Sequence, residues 1–190
     1  MSIRTIVVPV IASVFVLATV TLLAAPSYQV TDLGTLGGPT SSAAGINASG
    51  QVVGSADTSS GERHAFLYSN GTMADLGTLG GVSSSAHGIN ASGQVVGYAF
   101  TPPYYETTRA FLYSNGTMTD LNSLIPTGWT LQSATAINDS GQIVGYGINA
   151  SGNTDALLLT PIPEPSTIAL FGIGAASFLA CAWRRRRHKA

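Results

Sequence analysis

Charge is what this chain has least of: Asp, Glu, Lys and Arg make up only 9% of its 190 residues. Cysteine occurs once, at Cys181, which excludes an intrachain disulfide. Because Cys181 lies in an apolar run, whatever folds elsewhere must be held by packing and backbone pairing. With no second cysteine and no spaced histidine pair, the usual ligand set of zinc is missing. Basic residues almost vanish from the middle. Residues 28 to 163 carry eight Asp and Glu against Arg63 and Arg109, a net charge of about −6. That surface repels a polyanion, so nucleic acid is not an expected partner. His64 and His87 are the only histidines of this middle, neither recurs in the repeats described below, and no G-x-S-x-G nucleophile elbow accompanies the many serines. A non-enzymatic protein without cofactor or metal is the expectation.

What the middle lacks, the two ends supply. Residues Ile6 to Ala25 are uninterruptedly uncharged, follow the lone Arg4 and close on small residues, the order of a secretory signal. Residues 1 to 27 therefore read as a signal peptide with a helical apolar stretch and signal peptidase as processing partner. Cleavage after Ser27 puts Ala25 at the −3 position, cleavage after Ala24 is the alternative, and an uncleaved anchor is the competing reading since the run is long enough to span a bilayer. A second uncharged stretch, Ile168 to Trp183, is followed at once by Arg184, Arg185, Arg186 and Arg187. As a helix it rises about 24 Å, enough for a short transmembrane span. Residues 184 to 190 are then a basic cytoplasmic tail, and the positive-inside rule places everything between Arg4 and Arg184 outside.

Directly before the second span stands Pro161-Ile162-Pro163-Glu164-Pro165-Ser166. Alternating prolines keep this stretch extended and out of a helix, so residues 161 to 167 form an accessible linker. PEPST, a Gly- and Ala-bearing span, then RRRRHK: in this order the three parts resemble the PEP-CTERM sorting signal of Gram-negative bacteria that make extracellular polysaccharide. The resemblance implies a substrate of an exosortase, a Cys-dependent intramembrane enzyme of transpeptidase type. Pro163, Glu164 and Pro165 would be its recognition motif and Arg184 to Arg187 the cytoplasmic stop. It also implies a transient hold on the inner membrane, then release or transfer to the cell surface.

Between the ends the sequence repeats about every 45 residues, the range of stacked or closed repeat folds. "GINASGQVVG" at 45 to 54 returns at 88 to 97 and, as "AINDSGQIVG", at 136 to 145. "AFLYSNGTM" at 65 to 73 returns at 110 to 118, and Asp155-Ala156-Leu157 begins it a third time. Three units follow, at about 28 to 73, 74 to 118 and 119 to 160. Asn70-Gly71 and Asn115-Gly116 are two-residue hairpin turns, since both residues tolerate positive φ. Asn47 to Gly50, Asn90 to Gly93 and Asn138 to Gly141 suit type I turns closed by a left-handed glycine. A two-residue turn at Asn70-Gly71 sets Tyr68 opposite Met73 and Phe66 opposite Asp75, so Phe66, Tyr68 and Met73 share one face and Ala65, Leu67 and Leu76 the other. With both faces apolar, each small sheet must be covered by its neighbours. The expectation is an all-β body of three four-stranded units, propeller-like, with a three-fold β-prism or β-trefoil as the alternative. Residues 28 to 33 match the second hairpin strand without a first, and Ala156 to Leu159 the first without a second. Pairing them would close the ring, and pairing them between molecules would give a head-to-tail polymer.

On "DLGTLGG", "INASGQVVG", "FLYSNGTM" and the tripeptide His64-Ala65-Phe66, residues 28 to about 160 resemble the HAF family of extracellular repeats. The third unit departs from it, with "DLNSLIPTGW" and Asp155-Ala156-Leu157. The two export signals and a repeat domain without catalytic residues point to an exported surface or matrix component, linked through the sorting resemblance to exopolysaccharide or biofilm. A carbohydrate- or Ca²⁺-binding module is the second reading. Its candidate ligand residues are Asp32, Asp75 and Asp120, one per repeat, and the Tyr104-Tyr105 insertion. An Asp that accepts backbone N–H bonds at a turn explains the same recurrence.

Overall fold

The computed structural model describes residues 27 to 102 and 107 to 162. The expected signal helix, the transmembrane span, the motif Pro163-Glu164-Pro165, Arg184 to Arg187, and Tyr104 and Tyr105 lie outside them. Among the described residues no helix is long and apolar enough to cross a membrane. The chain divides into two compact units, residues 1 to 32 and 33 to 190. Of the first, residues 27 to 32 are described; they form no strand, and Tyr28 and Val30 are exposed.

The second unit is all-β. Its strands are β1 (Gly37–Ile46), β2 (Val52–Thr58), β3 (Arg63–Ser69), β4 (Thr72–Asp75), β5 (Ser84–Ile89), β6 (Val95–Phe100), β7 (Thr108–Ser114), β8 (Thr117–Asp120), β9 (Trp129–Ile137), β10 (Ile143–Asn149) and β11 (Thr154–Leu159), with a short 3₁₀ turn at Leu121–Ser123. They make three antiparallel meanders: sheet A, β1-β2-β3-β4; sheet B, β5-β6-β7-β8; and sheet C, β9-β10-β11 in spatial order β11-β10-β9.

Turn chemistry fixes the pairing. Asn70 and Gly71 have φ of 51° and 80°, Asn115 and Gly116 of 52° and 81°, the positive pair that a two-residue hairpin turn demands. The register follows from it: Ser69 faces Thr72, Tyr68 faces Met73 and Phe66 faces Asp75, with Ser114, Tyr113 and Phe111 likewise opposite Thr117, Met118 and Asp120.

The repeated "QVVG" glycine has a separate cause. In sheets A, B and C the first strand carries a register shift just past Ala43, Ala86 and near Ala134, which drives a carbonyl toward the neighbouring strand. A Cβ on Gly54, Gly97 or Gly145 would lie 2.0, 2.0 or 2.2 Å from the carbonyl oxygen of Ser42, Ser85 or Ser133. No side chain fits there. Paired with the bare glycine on the third strand are Phe66, Phe111 and Leu157, and the Phe66 ring approaches the Cβ position of Gly54 to 3.0 Å.

The sheets pack face on face. Val53, Ala65 and Leu76 of the first repeat meet Ala86, Ile89, Val95 and Phe111 of the second. Val96, Ala110 and Leu121 meet Leu131, Ala134 and Ile143 of the third. In each junction the first strand of the later sheet, β5 or β9, lies over the second and third strands of the earlier one. The side chains that meet at the centre of each junction are apolar.

The expected closure is not formed. Residues 27 to 35 carry no regular strand, and among the described residues β11 pairs with β10 alone, so sheet C as described has three strands and ends on β11. Sheet A packs on B and B on C, without substantial packing from C back to A. No propeller or closed barrel results, and the three-fold prism or trefoil, which needs the same return contact, is not formed either. The physical reason is the mode of covering: face-to-face packing places sheet B between its neighbours, whereas a ring needs each unit to turn about a shared axis.

Candidate functional site

The recurring aspartates sit where the hairpin hands over to the next loop. Asp75 Oδ1 accepts the backbone N–H of Gly77 at 2.7 Å, and its Oδ2 lies 2.8 Å from His64 Nδ1. Asp120 Oδ1 accepts the N–H of Asn122 at 2.8 Å and also its side-chain Nδ2–H at 2.8 Å. These are Asx turns, in which the carboxylate caps the chain reversal. Asp75 and Asp120 end strands of different sheets, Asp32 belongs to the N-terminal unit, and among the described residues no three His, Cys, Asp or Glu side chains gather as a metal would require.

The polar groups of the first repeat also close on themselves. Arg63 Nη1 lies 3.0 Å from Asp57 Oδ1 and donates to Thr40 Oγ1 at 3.2 Å, while its Nε donates to Ser55 Oγ at 3.0 Å. Thr40 Oγ1 in turn donates to Asp57 Oδ2. Thr108 and Thr154 replace Arg63 in the later repeats, so this network belongs to one unit alone.

A set of residues that the sequence presents only as turn formers joins the repeats. Asn47 Oδ1 accepts from the N–H groups of Ser49 and Gln51 at 3.1 and 3.0 Å, while Nδ2 donates to Gln51 Oε1 at 2.8 Å and to the carbonyl of Asn90 at 3.0 Å. Asn90, only 2% exposed, repeats the pattern and donates to the carbonyl of Asn138 at 3.1 Å. The Asn-x-x-Gly-Gln phrase is thus a turn, a side-chain clamp and one rung of a ladder. Its last rung stays open: Asn138 Nδ2 donates only to its own Gln142 Oε1, at 2.8 Å. The signal for the ladder was Asn and Gln at a constant spacing of four, which turn propensity alone does not explain.

The open end of sheet C carries a groove of about 540 Å³ lined by Leu112, Leu121, Leu131, Ile143, Leu157 and Leu159. Between sheets A and B the corresponding space holds Met118 of β8, packed against the cluster of Leu76 and Ala65. Among the described residues sheet C has no such fourth strand, and none of them takes the place of Met118 there. Thr160, Pro161 and Ile162, where the chain leaves the body, also border the groove.

No curated protein and no solved structure matches the chain. A family match begins where the chain leaves the groove: residues 161 to 187 match the PEP-CTERM protein-sorting motif, which marks a protein for an exosortase-type sorting system, with export and a transient membrane anchor before release.

Proposed function

We propose that the chain is an exported, non-enzymatic surface or matrix component, its β-repeat body carried outside the inner membrane and then freed from the anchor by exosortase-type processing. The observation that carries this reading is the sorting motif over residues 161 to 187, immediately after the last strand of a compact body. The body supports it by what its polar residues do: Asp75, Asp120, Arg63 and the asparagines spend their hydrogen bonds on turns and on neighbouring repeats. On this reading the repeats are of the HAF type suggested by their phrases, and the setting is exopolysaccharide or biofilm. Its test is processing in a host that has the sorting enzyme. Wild-type chain is expected to lose its C-terminal segment and reach the medium or cell surface, while Glu164→Ala accumulates as an uncut membrane-held form. Equal processing of both, or a body found in the cytoplasm by a reporter fusion, would refute the assignment.

A carbohydrate- or Ca²⁺-binding role through Asp32, Asp75 and Asp120 is less well supported, because the Oδ1 atoms of Asp75 and Asp120 already serve turns.

A further inference from the structure

We infer that the open face and edge of sheet C are a docking site for the N-terminal end of a second copy of this chain, giving a head-to-tail stack of repeats. The template for this contact is inside the molecule twice, at the A–B and B–C junctions, and among the described residues both of its halves stand uncovered at the two ends of the second unit.

On sheet C the residues equivalent to the covered Val53 and Val96 and to Leu67 and Leu112 are Val144 and Leu158, which are 43% and 63% exposed. The last repeat of a finished stack needs a polar outer face, yet these positions keep apolar side chains. On sheet A, β1 is the counterpart of β5 and β9, the strands that cover the preceding sheet. Its Ile46 is 69% exposed where Ile89 is 8%, and Ala43 is exposed where Ala86 and Ala134 are buried. Phe66, on the same face of sheet A, is already buried, so β1 supplies the new contact.

The loop leading into β1 already has the shape the junction uses. Between sheets A and B, Ser84 Oγ donates to the Gly77 carbonyl at 2.6 Å and accepts the Ala65 N–H at 2.8 Å, while Thr78 Oγ1 donates to the Gly81 carbonyl at 2.8 Å. At the start of the body Ser41 Oγ donates to the Gly34 carbonyl at 2.6 Å and Thr35 Oγ1 to the Gly38 carbonyl at 2.8 Å. The counterpart of the Ala65 N–H is that of Ala156, on the unpaired edge of β11. By the same repeat alignment, Val30, 91% exposed, is the sequence counterpart of Met118. The open ladder continues as well, with Asn138 Nδ2 facing the carbonyl of the next copy's Asn47.

The chain cannot satisfy this site with its own β1, which is paired to β2 in sheet A with sheet B intervening. One position differs from the template. Ala136 stands where the earlier repeats have Gly45 and Gly88, whose missing Cβ atoms would lie 2.8 Å from the His87 carbonyl oxygen and 3.0 Å from Ala136 Cα. The next layer must therefore sit a few tenths of an ångström further out at that corner.

The test is disulfide trapping in purified full-length chain carrying Cys181→Ala. Ser41→Cys in one preparation and Ala156→Cys in another should give a mixed dimer on oxidation, and the double variant a ladder of multimers. Ala65→Cys with Ser84→Cys is the internal reference, linking within one chain and reporting that the body is folded. Leu158→Arg should lower the intermolecular yield at least tenfold while the reference link persists. No link between chains, a link within the double variant's own chain, or equal dimer yields from either single variant alone would overturn the inference. Trapping in purified chain does not depend on export, so it succeeds or fails separately from the sorting assignment.

Discussion

A single asparagine does the work of three different groups in this protein. The side chain of Asn90 accepts the backbone N–H of Gln94 at 2.9 Å and donates to Gln94 Oε1 at 2.8 Å and to the Asn138 carbonyl at 3.1 Å, all while buried. Removing it leaves buried donors and acceptors without partners, so Asn90→Ala should lower unfolding free energy by about 2–3 kcal/mol, whereas exposed Asn138→Ala should cost under about 1 kcal/mol; urea melts of the two variants read the difference. The asparagines were legible in the sequence as turn residues, because positive φ at Gly50, Gly93 and Gly141 follows from local sterics. Their bonds to the next repeat were not, since a rung depends on the distance between repeats, which no local pattern encodes. The aspartates show the opposite case: a turn role and a ligand role were both readable from Asp-Leu-Gly, and the structure shows the turn contacts for Asp75 and Asp120.

At the scale of the element, the hairpins were legible almost to the residue. Asn-Gly fixes a two-residue turn, the turn fixes the register, and the register sorts Phe66, Tyr68 and Met73 from Ala65, Leu67 and Leu76 without any knowledge of the neighbours. The unfinished third copy is where this local logic stops. β11 repeats the first hairpin strand but among the described residues pairs on one side only, and by its equivalence to β3, where the Ala65 N–H turns away from β2, the N–H groups of Ala156 and Leu158 turn away from β10. Hydrogen exchange on dilute protein should find these two amides fast and that of Ala65, bonded to Ser84 Oγ, slow by several orders of magnitude. Slow exchange at Ala156 in dilute monomer would mean that the edge is already paired.

Across the whole molecule the repeats form an open row rather than the expected ring, and the amino-acid sequence is compatible with both. Two half-hairpins at the ends of a repeat array are complementary whether the array is a ring or an open row, and only the way sheets cover one another decides between them. Here sheet B touches both neighbours and sheets A and C are tied together through it. Stability should therefore be lost unevenly. A Cβ at Gly97 would collide with the Ser85 carbonyl, so Gly97→Ala should cost about 3 kcal/mol and lower a single transition of the whole body. Gly145→Ala makes the same collision with the Ser133 carbonyl in the outermost sheet, and should instead split off an early transition confined to sheet C. Calorimetry of the two variants distinguishes them. The exit of the chain at Thr160 to Ile162, beside the open groove, gives the body a polarity. A copy held by its tail has its β1 end as the one not committed to the anchor, so in a row of such bodies one terminus is defined by the membrane and the other by solvent.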